Sequence, residues 1–323
     1  KKKSWGKLTA TWTEPDLRDE IVDFIRKKQD QTGLAEYTIL SDIGLSRRKF
    51  FNWRKAYGLP WNLAKNLPKS HHLENWEKER IIEFYTENEG DGYRRCSYMM
   101  MDKNIVYAAP STVYSVLKRH DAIRSRTVKK SKKGTGFVQP LKAHEHWHSD
   151  ITNVTVGDTV YFLISILDGY SRSIIAWELR KEMKAQDVAI VFQKAKEAYP
   201  NARPRCISDN GKQYKCKEFI RYIKENNYTQ VTTSPYYPQS NGKQERWHGT
   251  IKSECIRIQC PINFDDANKI IGKYVEHYNE ERLHSAIGYI SPKDKLAGKE
   301  DEIWKHRDRK LTERRLARRS LSL

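Results

Sequence analysis

The stretch from His146 to Thr232 constrains the fold of this chain more than any other. His146 to Val156 alternates polar and apolar residues, Val160 to Leu167 is an apolar run broken only by Ser165, and Ser173 to Leu179 is a third strand-like segment. Short turn sequences, Gly157-Asp158 and Asp168-Gly169-Tyr170, join the three, which predicts antiparallel strands in sequence order. The pattern then changes: Ala185 to Tyr199 reads as a helix, Arg205 to Ser208 as a strand, Lys215 to Asn226 as a helix and Tyr228 to Thr232 as a strand. Strands that alternate with helices enter a sheet through crossovers, so a mixed five-stranded sheet is expected.

The segment that follows, Thr233 to Lys252, reads as an aromatic, proline-bearing loop that turns at Asn241-Gly242 and runs into a helix. Glu245 and Lys252 are seven residues apart, and at ~100° per residue they return to within about 20° of each other, on one face. Trp247, Ile251, Cys255 and Ile258 share another face, which can dock on a core and hold the carboxylate still. A lone carboxylate on a helix is ordinarily just solvated. Here thirty-five residues separate Glu245 from Asp209, which ends the short apolar run Arg205-Cys206-Ile207-Ser208, and Asp150 lies within the first predicted strand.

These three linked motifs resemble the catalytic triad of the integrase-type DDE recombinases, and most closely the OrfB-type transposases of insertion-sequence family three. The resemblance runs from about His144 to Leu296 and includes Tyr278-Asn279-Glu280-Glu281-Arg282-Leu283-His284 with Ser291-Pro292 at its end. It implies a ribonuclease-H-like core, whose strand order the residue pattern also fits. There the first and fourth strands lie adjacent, so that Asp150 and Asp209 meet and the helix supplies Glu245. Three hard carboxylates make a poor zinc site and a good open site for Mg²⁺ or Mn²⁺, with two ions expected. Asp168 is the rival acid at a strand end, and it fits better as a turn former. The resemblance further implies that Lys252 contacts terminal DNA, that the chain works on double-stranded DNA as a dimer or higher oligomer, and that it resides in the bacterial cytoplasm at the nucleoid. Asn241 is either a DNA contact or the turn before the helix, and Tyr236 and Tyr237 either pack in the core or stack on an unpaired base.

Charge agrees with a polyanionic partner. The 323 residues hold 60 Lys+Arg against 41 Asp+Glu, a formal +19. No run approaches the ~18 apolar residues of a membrane span, and the start, Lys1-Lys2-Lys3-Ser4-Trp5, lacks the apolar segment of a secretory signal, so an intracellular protein is expected. The first residue is Lys rather than Met, which leaves the natural start open. Cys96, Cys206, Cys216, Cys255 and Cys260 include no C-x-x-C pair, which argues against a zinc ribbon or a disulfide framework. His144, His146 and His148 could form a metal cluster on one strand face, but a polar strand entrance is the commoner explanation.

The expected architecture is multidomain. Residues 1–67 and 68–122 read as two N-terminal all-α helix-turn-helix domains, with a three-helix interaction module as the alternative for the first and a structural bundle for the second; 123–142 reads as a basic linker, 143–298 as the α/β ribonuclease-H-like core and 299–323 as a basic C-terminal tail. In the first, Thr13 is placed to cap a helix with Pro15 in its first turn, Gly44 ends a second, and Ser46 caps a third. The third carries Phe50, Trp53 and Tyr57 on an apolar stripe and Arg47, Arg48, Lys49, Arg54 and Lys55 elsewhere. In the second, Pro110-Ser111-Thr112 opens a helix with Val113, Val116 and Leu117 inward and Tyr114, Lys118, Arg119 and His120 outward. The linker holds Lys129, Lys130, Lys132 and Lys133 with no acid near them and is expected along phosphates. Ile303 to Leu323, with eight basic residues and two acids, is either a solvated tail or a further DNA or subunit contact. The function expected is a DNA transposase. The alternatives are a ribonuclease-H-like nuclease without strand transfer and a non-catalytic DNA-binding regulator.

Overall fold

The computed structural model of the chain describes residues 5, 8, 13–58, 73–88, 90–123, 139–232 and 242–320. Two compact units are formed, one by Lys1–His72 with Arg314–Leu323 and the other by Leu73–Glu313.

In the first unit, α1 (Pro15–Thr32) ends at Gly33, whose φ of 65° lets its N–H reach Gln29 O. Glu14, not Thr13, is the N-cap of α1, and no side chain caps it; Pro15 has no N–H to be satisfied at that position. α2 (Glu36–Ile43) stops at Gly44, φ 70°, and the Ser46 hydroxyl accepts the Lys49 N–H to start α3 (Arg47–Lys55). Ile21, Val22, Ile25, Leu40, Phe50 and Trp53 close a small core between these helices.

The second unit opens with α4 (Asn75–Glu87), α5 (Tyr93–Asp102) and α6 (Pro110–Arg119), packed through Ile81, Phe84, Cys96, Met100, Val113 and Leu117. Five strands follow: β1 (His146–Val156), β2 (Thr159–Asp168), β3 (Ile174–Arg180), β4 (Arg205–Ser208) and β5 (Thr229–Thr232). Between them run α7 (Ala185–Ala198) and α8 (Lys217–Glu225), and beyond them α9 (Gly242–Ile251), α10 (Phe264–Glu280) and α11 (Glu300–Ser320). The sheet order is β3-β2-β1-β4-β5, antiparallel through the first three strands and parallel through β1, β4 and β5. This mixed sheet with helices on both faces is the ribonuclease-H-like arrangement. Alternation along the strands sends Trp147, Ile164 and Ile166 towards α7 and α8, and Val154, Leu163 and Leu167 towards α9 and α10. A core on each face explains why most of β2 is buried and reads as an almost continuous apolar run.

The apolar stripe expected to end at Ile258 is corrected. A π-helical turn over Lys252–Ile256 follows α9 and inserts a residue into the repeat. Trp247, Ile251 and Cys255 are buried as anticipated, but the stripe passes next to Ile256, and Ile258 is left 67% exposed.

The basic C-terminal segment was expected to be solvated or to contact DNA or another subunit. Over residues 300–313 one side of this helix packs within its own unit, while Lys305 and Arg309 stay exposed. Arg307 is buried and donates through Nε and Nη2 to both oxygens of Asp102 at 2.9 and 2.6 Å. Its guanidinium lies over the Tyr98 ring, which stacks on Tyr289, and Lys310 donates to Met101 O. The helix thereby ties α5 to the end of the core.

Asp168 is the turn former, and it is fully buried. Its Oδ1 accepts the His144 N–H at 2.8 Å, while Oδ2 accepts both the Ser171 N–H and the Ser171 hydroxyl at 2.7 Å. Asp168→Asn would turn an amide NH₂ towards one of these donors. We therefore expect it to lower unfolding stability by about 1–3 kcal/mol, the loss for stranding a buried donor, as read by chemical denaturation. A variant as stable as the parent would show that these bonds contribute nothing net.

Candidate active site

β1 lies at the centre of the sheet, and its parallel register with β4 sets His146 opposite Arg205, Trp147 opposite Cys206 and His148 opposite Ile207. Continued two residues past its last pair, that register leads Asp150 towards Asp209, which lies just beyond the end of β4. Asp150 is half-buried, and Asp209 is exposed just past the end of β4. A backbone amide steadies each carboxylate: Ile151 N–H donates to Asp150 Oδ1 and Gly211 N–H to Asp209 Oδ1, both at 2.9 Å. On the opposite face of β1, the buried Ser149 and Tyr214 hydroxyls share a 2.9 Å hydrogen bond. Burial raises the Tyr214 phenol well above its usual range, and the charges of Asp150 and Asp209 add to the effect, so both carboxylates lie near one ring.

α9 is fixed to the strands from the other face by a buried polar lock. Gln244 Nε2 donates to His148 O at 2.5 Å and to Ser165 O at 3.0 Å. The Ser165 hydroxyl donates to Gln244 Oε1 at 3.2 Å and accepts the Trp247 indole N–H at 3.1 Å. Ser165 is the antiparallel partner of Asp150, so the lock stands directly beside that acid. One turn beyond Gln244, His248 Nδ1 approaches Asp150 Oδ2 at 3.7 Å. Burial first, and the charge of Lys252 second, push the His248 imidazole down to about 4, which leaves it neutral at pH 7. Lys252 is half-buried at the start of the π turn, near enough to His248 to act on it.

Glu245 follows Gln244 and is exposed. It lines a cavity of about 920 Å³ together with Arg172, Lys243 and Arg246. Lys243 is pushed down to about 7, by burial and then by the neighbouring Arg172 charge, with Asp168 acting in the other direction. Among the described residues no three Asp, Glu, His or Cys side chains converge on one point. Asp150 and Asp209 both act on the Tyr214 ring, and Glu245 is mounted on a helix locked to β1 and β2. His146 and His148 lie on the Asp150 side of β1, both held low by burial, whereas His144 precedes the strand and accepts the Trp147 indole N–H at 3.2 Å.

The expected DNA contacts divide. Arg47 and Arg48 are exposed on α3; Arg54 is exposed and pairs with Glu36 at 3.3 Å. Lys49 is engaged internally, donating to Leu8 O at 2.6 Å. Tyr114 and Lys118 are exposed on α6, with Tyr114 against the Tyr93 ring. Asn241, Tyr236, Tyr237, Lys129, Lys130, Lys132 and Lys133 lie outside the described residues. Gln244, His248 and Ser165 were not anticipated as site residues. Ser165 carried a signal, since a hydroxyl inside an apolar strand requires a buried partner.

Residues 140–238 match the family described as Integrase core domain, and residues 226–292 match a second family of the same description. The chain is 25% identical over 228 residues to a protein of Escherichia coli K12 named as transposase InsK for insertion sequence element IS150, covering 67% of this chain and 81% of the relative. It is 26% identical over 219 residues to transposase InsD of insertion element IS2 from Escherichia coli, covering 64% and 73%. Among solved structures, the HTLV-2 integrase catalytic core domain in complex with magnesium aligns with 47% of this chain and 95% of its own, at 19% identity and a TM-score of 0.39.

The lock predicts a separation of effects. Gln244→Leu strands several buried groups, at about 1–3 kcal/mol each, and should lower the denaturation midpoint sharply. Glu245→Gln changes an exposed group and should stay within about 0.5 kcal/mol of the parent. Equal losses in the two variants would contradict the assignment of Gln244 as the anchor.

Proposed function

We propose that this chain is an integrase-core DNA transposase of the insertion-sequence type, which binds the terminal inverted repeats of its element and catalyses metal-dependent strand cleavage and strand transfer; the match of residues 140–292 to the integrase core and the likeness to insertion-sequence transposases support that reading. The observation that supports the reading is the parallel register of β1 with β4, which continued two residues past His148–Ile207 leads Asp150 towards Asp209, with Glu245 one residue beyond the Gln244 anchor. The donor set fits Mg²⁺ or Mn²⁺. It is all oxygen, it opens to solvent, and Asp209 Oδ2 has no hydrogen bond among the described residues. Asp150, Asp209 and Glu245 are the residues that would hold the metal. Two such ions, when bound, supply charge stabilisation for the attacking and departing oxygens of in-line phosphoryl substitution. The chain's own part is positional: the amides of Ile151 and Gly211 orient the two aspartates, and Gln244 and Trp247 hold the helix that carries Glu245. His248 is neutral beside Asp150 and so adds no countercharge of its own to that carboxylate. Lys252 is assigned to the phosphates of the terminal DNA. The active form is a dimer or higher assembly that pairs two element ends.

Asp150→Asn, Asp209→Asn and Glu245→Gln should each abolish cleavage and joining of terminal-repeat oligonucleotides in Mg²⁺ while leaving duplex binding largely intact, because binding rests on the basic modules. Strong residual joining by Asp209→Asn would remove it from the site. Cleavage without joining by the parent protein would favour a nuclease lacking strand transfer.

In the same reading α2 and α3 form a helix-turn-helix that presents Arg47 and Arg48 to base edges, and residues 129–133 follow phosphates. Arg47→Ala with Arg48→Ala should reduce preference for the terminal repeat over a scrambled duplex, each good base contact being worth ~1–3 kcal/mol. Neutralising Lys129, Lys130, Lys132 and Lys133 should weaken both duplexes alike and flatten the salt dependence by ~0.9 per lost contact. Binding titrations across a salt series read both effects, and reversed outcomes would overturn this division of labour.

A further inference from the structure

The cavity beside Glu245 carries more positive charge than its own residues neutralise. Two of its arginines are satisfied inside the protein: Arg282 by a bidentate pair with Glu254 at 2.6 and 2.5 Å, and Arg95 by Asp91. Arg172 and Lys243 have no such pair, and only the more distant charge of Asp168, whose oxygens are engaged by His144 and Ser171, acts on them. The Arg172 Nε and the Lys243 Nζ are shielded from solvent and have no hydrogen-bond partner among the described residues. Arg246 stands exposed on the same wall. Against these three cations the wall offers the carboxylate of Glu245. The field registers on His284, which also lines the cavity: its imidazole is pushed down to about 3, first by burial and then by Arg282, Arg172, Arg95 and Arg246.

A buried cation without a partner destabilises a fold, and its retention beside an open cavity points to an anion that completes it. At about 920 Å³ the space is large enough for a nucleotide with its phosphates. We propose that this cavity is a phosphodiester-binding subsite, in which Arg172, Lys243 and Arg246 hold the backbone of a single DNA strand running past Glu245. The subsite rests on the DNA-processing reading above. Lys243 needs only to turn the end of its flexible stem from the Gly169 backbone to reach the cavity, and the planar guanidinium of Arg172 can take two phosphate oxygens together.

The test uses the full chain without divalent metal, so that no metal bridges the carboxylates to the strand, and follows a fluorescent single-stranded oligonucleotide by anisotropy across a salt series. Lys243→Met and Arg246→Gln should each weaken binding about tenfold, as for one charge-assisted contact, and lower the salt slope by ~0.7. Lys305→Gln, an exposed cation outside the cavity, should match the parent. Lys243→Met should also melt at the parent's temperature or above it, since it removes an unpaired buried charge. Unchanged binding in both cavity variants, or a large loss of stability in Lys243→Met, would overturn the proposal, the latter by showing the lysine to be structural. Inorganic pyrophosphate displacing the oligonucleotide at equal phosphate concentration would assign the site to free phosphates and overturn the DNA strand as occupant. Binding that depends on Lys243 and Arg246 in a protein that neither cleaves nor joins DNA with Mg²⁺ would leave this site standing and refute the reaction instead.

Discussion

The buried hydrogen bonds among Gln244, Ser165, Trp247 and the carbonyl of His148 are the interaction on which the rest of the site depends. Without them α9 would meet the sheet only through Trp247, Ile251 and Cys255, and apolar contact alone permits a helix to slide or rotate against its neighbours. A glutamine that spans two strands, with its amide donating to one carbonyl from each, fixes rotation and translation together. The adjacent Glu245 inherits that precision because it lies one residue along the same backbone.

The sheet supplies the second half of the mount. β1 runs well past the end of β4, so their register leads a residue in the middle of one strand, Asp150, towards a residue just beyond the end of the other, Asp209. The first is stiffened by the antiparallel ladder to β2, which pairs Asp150 with Ser165. The second is free of any ladder and exposed, held by the Gly211 amide and by the short helical turn Lys212–Lys215 that brings Tyr214 beneath the strand. One acid is rigid and half-buried and the other is accessible, which suits a site that must hold its geometry while admitting a bulky polyanion.

Much of this was legible in the residues. β1 and β4 begin and end where the patterning of His146 to Val156 and Arg205 to Ser208 places them, because each segment has one unambiguous period and a turn at its end. Asp168 was legible as a turn former from its neighbours Gly169 and Ser171. Ile258 was misplaced because a π turn is a one-residue insertion that leaves no mark on helical spacing. Gln244 and Ser165 went unread for another reason: a buried polar pair is recognisable only when both partners are known, and these are 79 residues apart. Arg307 is a similar case, since nothing near it in sequence shows that Asp102 awaits it.

Asp150 on β1 and Asp209 just past β4 each accept a neutral backbone amide, and the imidazole that approaches Asp150 is kept neutral by burial and by Lys252. The cations of this region, Arg172, Lys243 and Arg246, line the cavity by Glu245. A chain selected for stability alone would have set its positive groups against its negative ones. Here negative charge gathers at the sheet, at Asp150 and Asp209, and positive charge along the wall beside it. Their complements are a metal cation and a phosphate backbone, and a metal-bound phosphodiester lying across α9 would answer both at once.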